Sequence, residues 1–200
     1  MVTIVEHGIT PSVIAARMTY LGSPEALQGA VAAGILGAGS VYLGAMEYTG
    51  QMLTKAFENH PGKSEAEIAA EVVRDYKSRK AIIPGIGHPI HTAGDPRVVR
   101  LFDLAEELGY SGKYVRILQE IGAQASTKRL LPINAAGAIG ALSLELGFDW
   151  RIAKGLAVIA RTIGLVGHVF EEMKSPISSK LWTLTEEVVQ HPEPREAAPA

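Results

Sequence analysis

The residues best suited to chemistry lie in Ile83-Pro84-Gly85-Ile86-Gly87-His88-Pro89-Ile90-His91-Thr92-Ala93-Gly94-Asp95-Pro96-Arg97. An imidazole titrates near neutral pH, so His88 can donate or accept a proton there. A guanidinium such as Arg97 can grip a carboxylate through two hydrogen bonds. Pro84-Gly85 and Gly94-Asp95-Pro96 are turn signals, so the stretch reads as a loop. Gly85 and Gly87 let a backbone approach a ligand closely and leave N–H groups exposed. His88 would then be presented from a backbone-lined concavity. Loops held by a rigid scaffold are where binding and catalysis concentrate. The same residues allow a metal reading, because His88 and His91 could place two nitrogens on one ion beside Asp95. Pro89 between the histidines and the lack of further clustered ligands weigh against it, and no metal is expected.

Other candidates lie outside the loop. Arg161 falls in an otherwise apolar helical stretch, where an unpaired charge is costly, so a partner is expected. His7 in Glu6-His7-Gly8 serves either binding or capping. His168 reads as a packing histidine. Lys128-Arg129-Leu130-Leu131-Pro132 is a second basic, proline-marked connection.

Helices must position these residues. Thr10-Pro11 starts the first, which runs to about Tyr20. Ser23-Pro24 repeats that signal and starts a second over 24–38. Gly29, Ala33 and Gly37 share one face of it, suited either to internal packing or to a subunit interface. Gly39-Ser40 breaks the chain before a helix over 41–59. Ser64 and Glu67 form a capping-box pattern, and Ile68, Val72 and Tyr76 mark the buried stripe that follows. Val98, Leu101, Leu104 and Leu108 share the apolar face of a helix over 97–108. Helices over 113–124, from Asn134 to about Leu146, 152–173 with Asp149 as its cap, and 179–190 complete an all-α chain. No segment alternates with a period of two. Residues 191–200 read as a disordered tail.

Composition bounds the function. The chain has 200 residues, enough for one sizeable core with room for an attached lobe. Its net charge of -2 makes no case for nucleic acid or an anionic membrane surface. With no cysteine, thiol catalysis and zinc–thiolate sites are excluded. Residues 26–46 lack formal charge over about a bilayer's span but are mostly Ala and Gly, too weakly hydrophobic for a spanning helix. No secretory leader is recognisable, and a cytoplasmic protein is expected.

The loop from Gly85-Ile86-Gly87-His88 to Asp95-Pro96-Arg97 resembles the citrate synthase family. Glu6-His7-Gly8 with Ser12 resembles that family's upstream histidine segment. Ala160-Arg161-Thr162-Ile163-Gly164-Leu165-Val166-Gly167-His168 is similar to its late arginine helix. Asn134-Ala135-Ala136-Gly137 sits where the family has an Asn–Val–Asp motif. The resemblance runs from about Val5 to Trp182 and is closer to the compact citryl-CoA lyase module than to a full citrate synthase.

It implies a citrate synthase-like, two-lobed helical fold working as a homodimer or higher homo-oligomer. Residues 1–55 and 147–190 would form the large lobe and 56–146 the small lobe. A coenzyme A thioester would be a substrate rather than a tightly bound cofactor. It would lie along Pro84, Gly85, Ile86 and Gly87, near Lys128 and Asn134. Di- or tricarboxylate substrates would be held by His7, Arg97 and Arg161, with Lys180 as the nearest match to an arginine that reaches the partner subunit. His88 would handle the proton on the carbonyl or hydroxyl oxygen.

Two positions depart from the family pattern. Tyr42 stands where the family's first catalytic histidine aligns and is the candidate to steady the thioester oxygen. Ala136 stands where the catalytic aspartate aligns, and an alanine cannot move a proton. The expected function is therefore citryl-CoA lyase-like cleavage or formation of a C–C bond between an acetyl-CoA unit and an α-keto acid such as oxaloacetate. The alternative is an acyl-CoA-binding homologue whose catalysis is altered or lost.

Overall fold

The computed structural model describes residues 1–88, 90–127 and 129–189. Among them the chain is helical, and its single isolated β-bridge pairs Ile86 with Ile133 in antiparallel sense. The expected tail at 191–200 lies outside the described residues. Packing divides the chain into two compact units, one of 1–7 and 38–163, the other of 8–37 and 164–200. This partition differs from the lobes that the resemblance implies, and the lobe division stays a proposal.

In the first unit a 3-10 turn, Val2–Ile4, precedes α3 (Gly39–Leu43), α4 (Ala45–Asn59), α5 (Glu65–Ser78), α6 (Pro96–Glu107), α7 (Lys113–Ala125) and α8 (Ala135–Glu145). Leu53, Ile68, Val115, Ile117, Leu118 and Ile121 form its centre, and burying such side chains removes apolar surface from water. The capping box at α5 forms as expected: Ser64 Oγ accepts from Glu67 N, and Glu67 bonds back to Ser64 N. Gly39 has φ +43°, which separates α3 from what precedes it, and a second break at Gly44 separates it from α4. Residues 26–46 are thus divided between shorter helices. Leu108 was expected on the buried face, but α6 ends at Glu107 and Leu108 is 68% exposed. Asp149 caps a short 3-10 helix, Trp150–Ile152, that leads into the long helix α9 (Ala153–Lys174). By length and composition alone, Trp150–Lys174 is the one helix among the described residues apolar enough to cross a membrane.

The second unit holds α1 (Pro11–Gly22), α2 (Leu27–Leu36), the later part of α9 and α10 (Ser178–Val188). Val13, Ala16, Ala30, Leu165 and Val169 are its buried core. Thr10 precedes α1 without capping it, and its hydroxyl is buried and unpartnered. Ser23-Pro24 does not start α2, because a turn from Ser23 to Ala26 intervenes and the helix begins at Leu27. Close approach in this unit falls at Gly34, off the predicted stripe, and at Gly37, the stripe's last member. A Cβ at Gly34 would sit 2.8 Å from both Leu165 methyls and 3.0 Å from Ala16 Cβ. Gly37 packs on Ala15, whereas Gly29 meets only Ala26. Arg17 is buried and joins α1 to α9 through Glu171, Glu172 and Nδ1 of His168. The expectation that His168 packs rather than binds fits this internal hydrogen bond.

Candidate active site

The site is built in the first unit, where the loop after α5 meets the start of α8. Gly85 and Gly87 have φ of +83° and +90°, values that favour glycine. Their backbone is stitched to the segment before α8. Gly87 N donates to Pro132 O at 2.6 Å, and Asn134 N donates to Gly85 O at 3.0 Å. Asn134 does two things at once: Oδ1 caps α8 by accepting from Gly137 N at 3.0 Å, and Nδ2 donates to Gly87 O at 2.8 Å. The side chain expected to touch coenzyme A is therefore committed to holding the loop.

Asp95 closes the other end of the loop. Its side chain has no solvent exposure. Oδ1 accepts from Arg97 N at 3.0 Å and Nε at 2.9 Å, while Oδ2 accepts from Nη2 at 2.8 Å and from Ala135 N at 3.1 Å. Burial pushes this carboxyl up, but Arg97's hydrogen bonds and charge and the Ala135 amide outweigh it, and its pKa falls from 3.8 to about 2. Asp95-Pro96 is an N-cap followed by proline at the first helical position, a signal that was present in the sequence. The grip on Ala135 was not legible there.

His88 is fixed by its own loop. Nδ1 accepts from Ile90 N at 3.1 Å and His91 N at 3.0 Å. A nitrogen that accepts carries no proton, so neutral His88 bears its hydrogen on Nε2. Burial lowers its pKa, His91, Arg97 and His7 act in the same direction, and Asp95 opposes them. The neutral form is thereby favoured, an Nε2–H donor of fixed orientation. The His91 ring lies against it, with centroids 4.6 Å apart and planes tilted by 47°.

Arg97 is half-buried, and its Nε and Nη2 are engaged by Asp95, while Nη1 lies 3.5 Å from Thr3 O. The fork expected for a substrate carboxylate is thus already half used. Arg161 lies in the early part of α9 and is buried, and its Nη1 has no hydrogen-bond partner. Burial lowers its pKa, against the opposing charge of Glu6. A buried guanidinium with an open donor fits a carboxylate. His7 is exposed, within electrostatic reach of His88. Tyr42 on α3 is 59% exposed. Ala136 is half-buried and packs with Ile4, Leu43 and Leu101 around Met46, Ile139, Ala153 and Ala157. Lys180 is exposed on α10 in the other unit, and Lys128 lies outside the described residues. Among the described residues no three His, Asp or Glu side chains gather as a metal site.

A helical unit that presents a fixed imidazole on a glycine loop, with the half-engaged guanidinium of Arg97 at the loop's far end, carries the groups of a carboxylate-handling class of site. The family model described as "Citrate synthase, C-terminal domain" matches residues 1–182, and the chain belongs to this family. The structure of citryl-CoA lyase from Hydrogenobacter thermophilus is 34% identical, with a TM-score of 0.84, covering 99% of this chain and 76% of that one. ATP citrate lyase from Methanothrix soehngenii, solved with citrate and coenzyme A, is 22% identical with a TM-score of 0.74 over 98% of this chain and 33% of its own, a likeness of fold. The Dictyostelium discoideum protein named "Probable ATP-citrate synthase" is 28% identical over 86% of this chain, which spans 29% of that protein's length.

Proposed function

We propose that this chain cleaves, or in reverse forms, the C–C bond between an acetyl-CoA unit and an α-keto acid such as oxaloacetate, as a citryl-CoA lyase-type enzyme. The observation that carries this reading is the orientation of His88, locked as an Nε2–H donor on a glycine loop in a chain of this family. Likeness to the Hydrogenobacter lyase over nearly the whole chain supports it.

In the cleavage direction the substrate's tertiary hydroxyl loses its proton to solvent, and the alkoxide collapses to a ketone as the C–C bond breaks. An Nε2–H aimed at that oxygen stabilises the charge that develops on it. Arg161, the remaining N–H groups of Arg97, and His7 hold the carboxylates of the keto acid. The thioester lies along Pro84–Gly87, Tyr42 donates to its carbonyl oxygen as the enolate forms, Lys128 adds an anion contact, and Lys180 reaches the site of a partner subunit. The working form is a cytoplasmic homodimer or larger homo-oligomer.

Ala136 favours a second reading, an acyl-CoA-binding homologue without turnover, since an alanine among apolar neighbours supplies no proton there. Incubation with citryl-CoA, followed by mass spectrometry, separates the two. Acetyl-CoA and oxaloacetate are expected as products. Calorimetric acyl-CoA binding with no product would replace the first reading by the second.

A further inference from the structure

The reaction proposed above leaves one proton without a carrier. The acetyl enolate must be protonated on carbon, and Ala136 has nothing to give. The groups that act electrostatically on His88 are His91, Asp95, Arg97 and His7. Asp95 has no exposed side-chain surface and is spent on Arg97 and Ala135. Arg97 is a permanent cation and does not exchange protons near neutral pH. His7 and His91 remain as groups that can carry a proton there. His91 alone of the two is fixed against His88: its ring packs at 4.6 Å between centroids, and its backbone N–H donates to His88 Nδ1. In the substrate, the oxygen addressed by His88 and the methylene carbon that becomes the enolate flank the same carbon, two bonds apart. A second imidazole packed beside the first is placed to address that neighbouring atom.

We propose that His91 is the catalytic acid–base group for the acyl α-carbon, taking the part that no side chain at position 136 can take. The inference rests on the lyase reading. In cleavage, the hydroxyl proton leaves to solvent, the C–C electron pair passes to the enolate, and protonated His91 delivers its N–H proton to the CH2 carbon to give the methyl group. Neutral His91 is then reprotonated from solvent. In the forming direction, neutral His91 takes a methyl proton from acetyl-CoA.

The test uses the whole chain and two probes. Citryl-CoA cleavage reports the overall reaction, and exchange of acetyl-CoA methyl hydrogens in D2O reports the carbon proton step alone. His91→Gln should lower both rates by about 100-fold or more, the usual worth of a positioned acid–base group. Acetyl-CoA affinity and melting temperature should hold. The backbone N–H at position 91 survives the substitution, so the orientation of His88 is kept. Imidazole in the buffer should restore exchange to His91→Gly. Retention of wild-type rates by His91→Gln to within about threefold, or a loss that imidazole leaves untouched, overturns the proposal while the lyase reading stands. A wild-type chain that neither cleaves citryl-CoA nor exchanges methyl hydrogens overturns both.

Discussion

Gly137 and Gly85 touch backbone to backbone, so a Cβ on Gly137 would sit 2.6 Å from Gly85 O and 2.7 Å from Gly85 Cα. This contact seats the His88 loop on the first turn of α8. Gly137→Ala gains about 1 kcal/mol of helix propensity but forces the loop outward, at about 1–3 kcal/mol for overpacking and more where backbone must move. Gly167 in α9 has nothing within 4 Å of its virtual Cβ. Thermal melts should therefore move in opposite senses, down by a few degrees for Gly137→Ala and up by about 2–4 °C for Gly167→Ala. A Gly137→Ala variant as stable as wild type would mean that the loop gives way freely.

Asn134 separates two duties that a cap normally does not combine. Asn134→Asp keeps the acceptor for Gly137 N and loses the donor to Gly87 O. Asn134→Ala loses both. The alanine variant should lose about 1 kcal/mol or more in denaturant titration. The aspartate variant should keep most of its stability yet bind acyl-CoA more weakly, because a carboxylate facing Gly87 O drives the loop off its seat. Equal acyl-CoA affinity in wild type and Asn134→Asp would remove the loop from the binding account.

Asp95 sets an acid limit on stability. Its folded pKa of about 2 lies below the ordinary 3.8, so the unfolded state binds the proton more tightly. The stabilisation is fully present above pH 3.8, is lost as pH falls through about 2, and amounts to roughly 2 kcal/mol. Asp95→Asn removes that charge-dependent part, so denaturant midpoints for wild type and variant should converge between pH 4 and pH 2. A constant gap across that window would show that Asp95 acts through shape alone.

Arg161 should show the trade between stability and function expected of a binding group. Its Nη1 is buried without a hydrogen-bond partner, and a buried donor left unsatisfied costs stability. Arg161→Met should melt at the same temperature or higher. Its affinity for oxaloacetate should fall about ten- to a hundredfold, the worth of one charge-assisted pair. A variant that melts lower and still binds oxaloacetate would make Arg161 structural.

Local signals in the sequence were readable where one chemical rule acts within one turn. The α5 capping box and the Gly85-to-His88 loop both formed where they were expected. Thr10 failed as a cap because its side chain turned inward, a choice made by packing. Gly34 outranked the predicted Gly29 stripe because Leu165, distant in the chain, decided which face came close. The partial engagement of Arg97 by Asp95 lay two residues away in sequence and still went unread, since spacing does not say which way a fork points. The two catalytic departures, Tyr42 and Ala136, were legible as residue types, but their surroundings were not.

The bonds that join Gly85 and Gly87 to Asn134, and Asp95 to Ala135, span 40 to 49 residues of chain. Each closure costs chain entropy that the packing of the intervening helices α6 and α7 must offset. The loop is accordingly expected to be secured last in this unit and released first. The amides of Gly87, Asn134 and Ala135 form one latch, whose opening in hydrogen exchange would report the assembly and disassembly of the site without disturbance of the core beneath it.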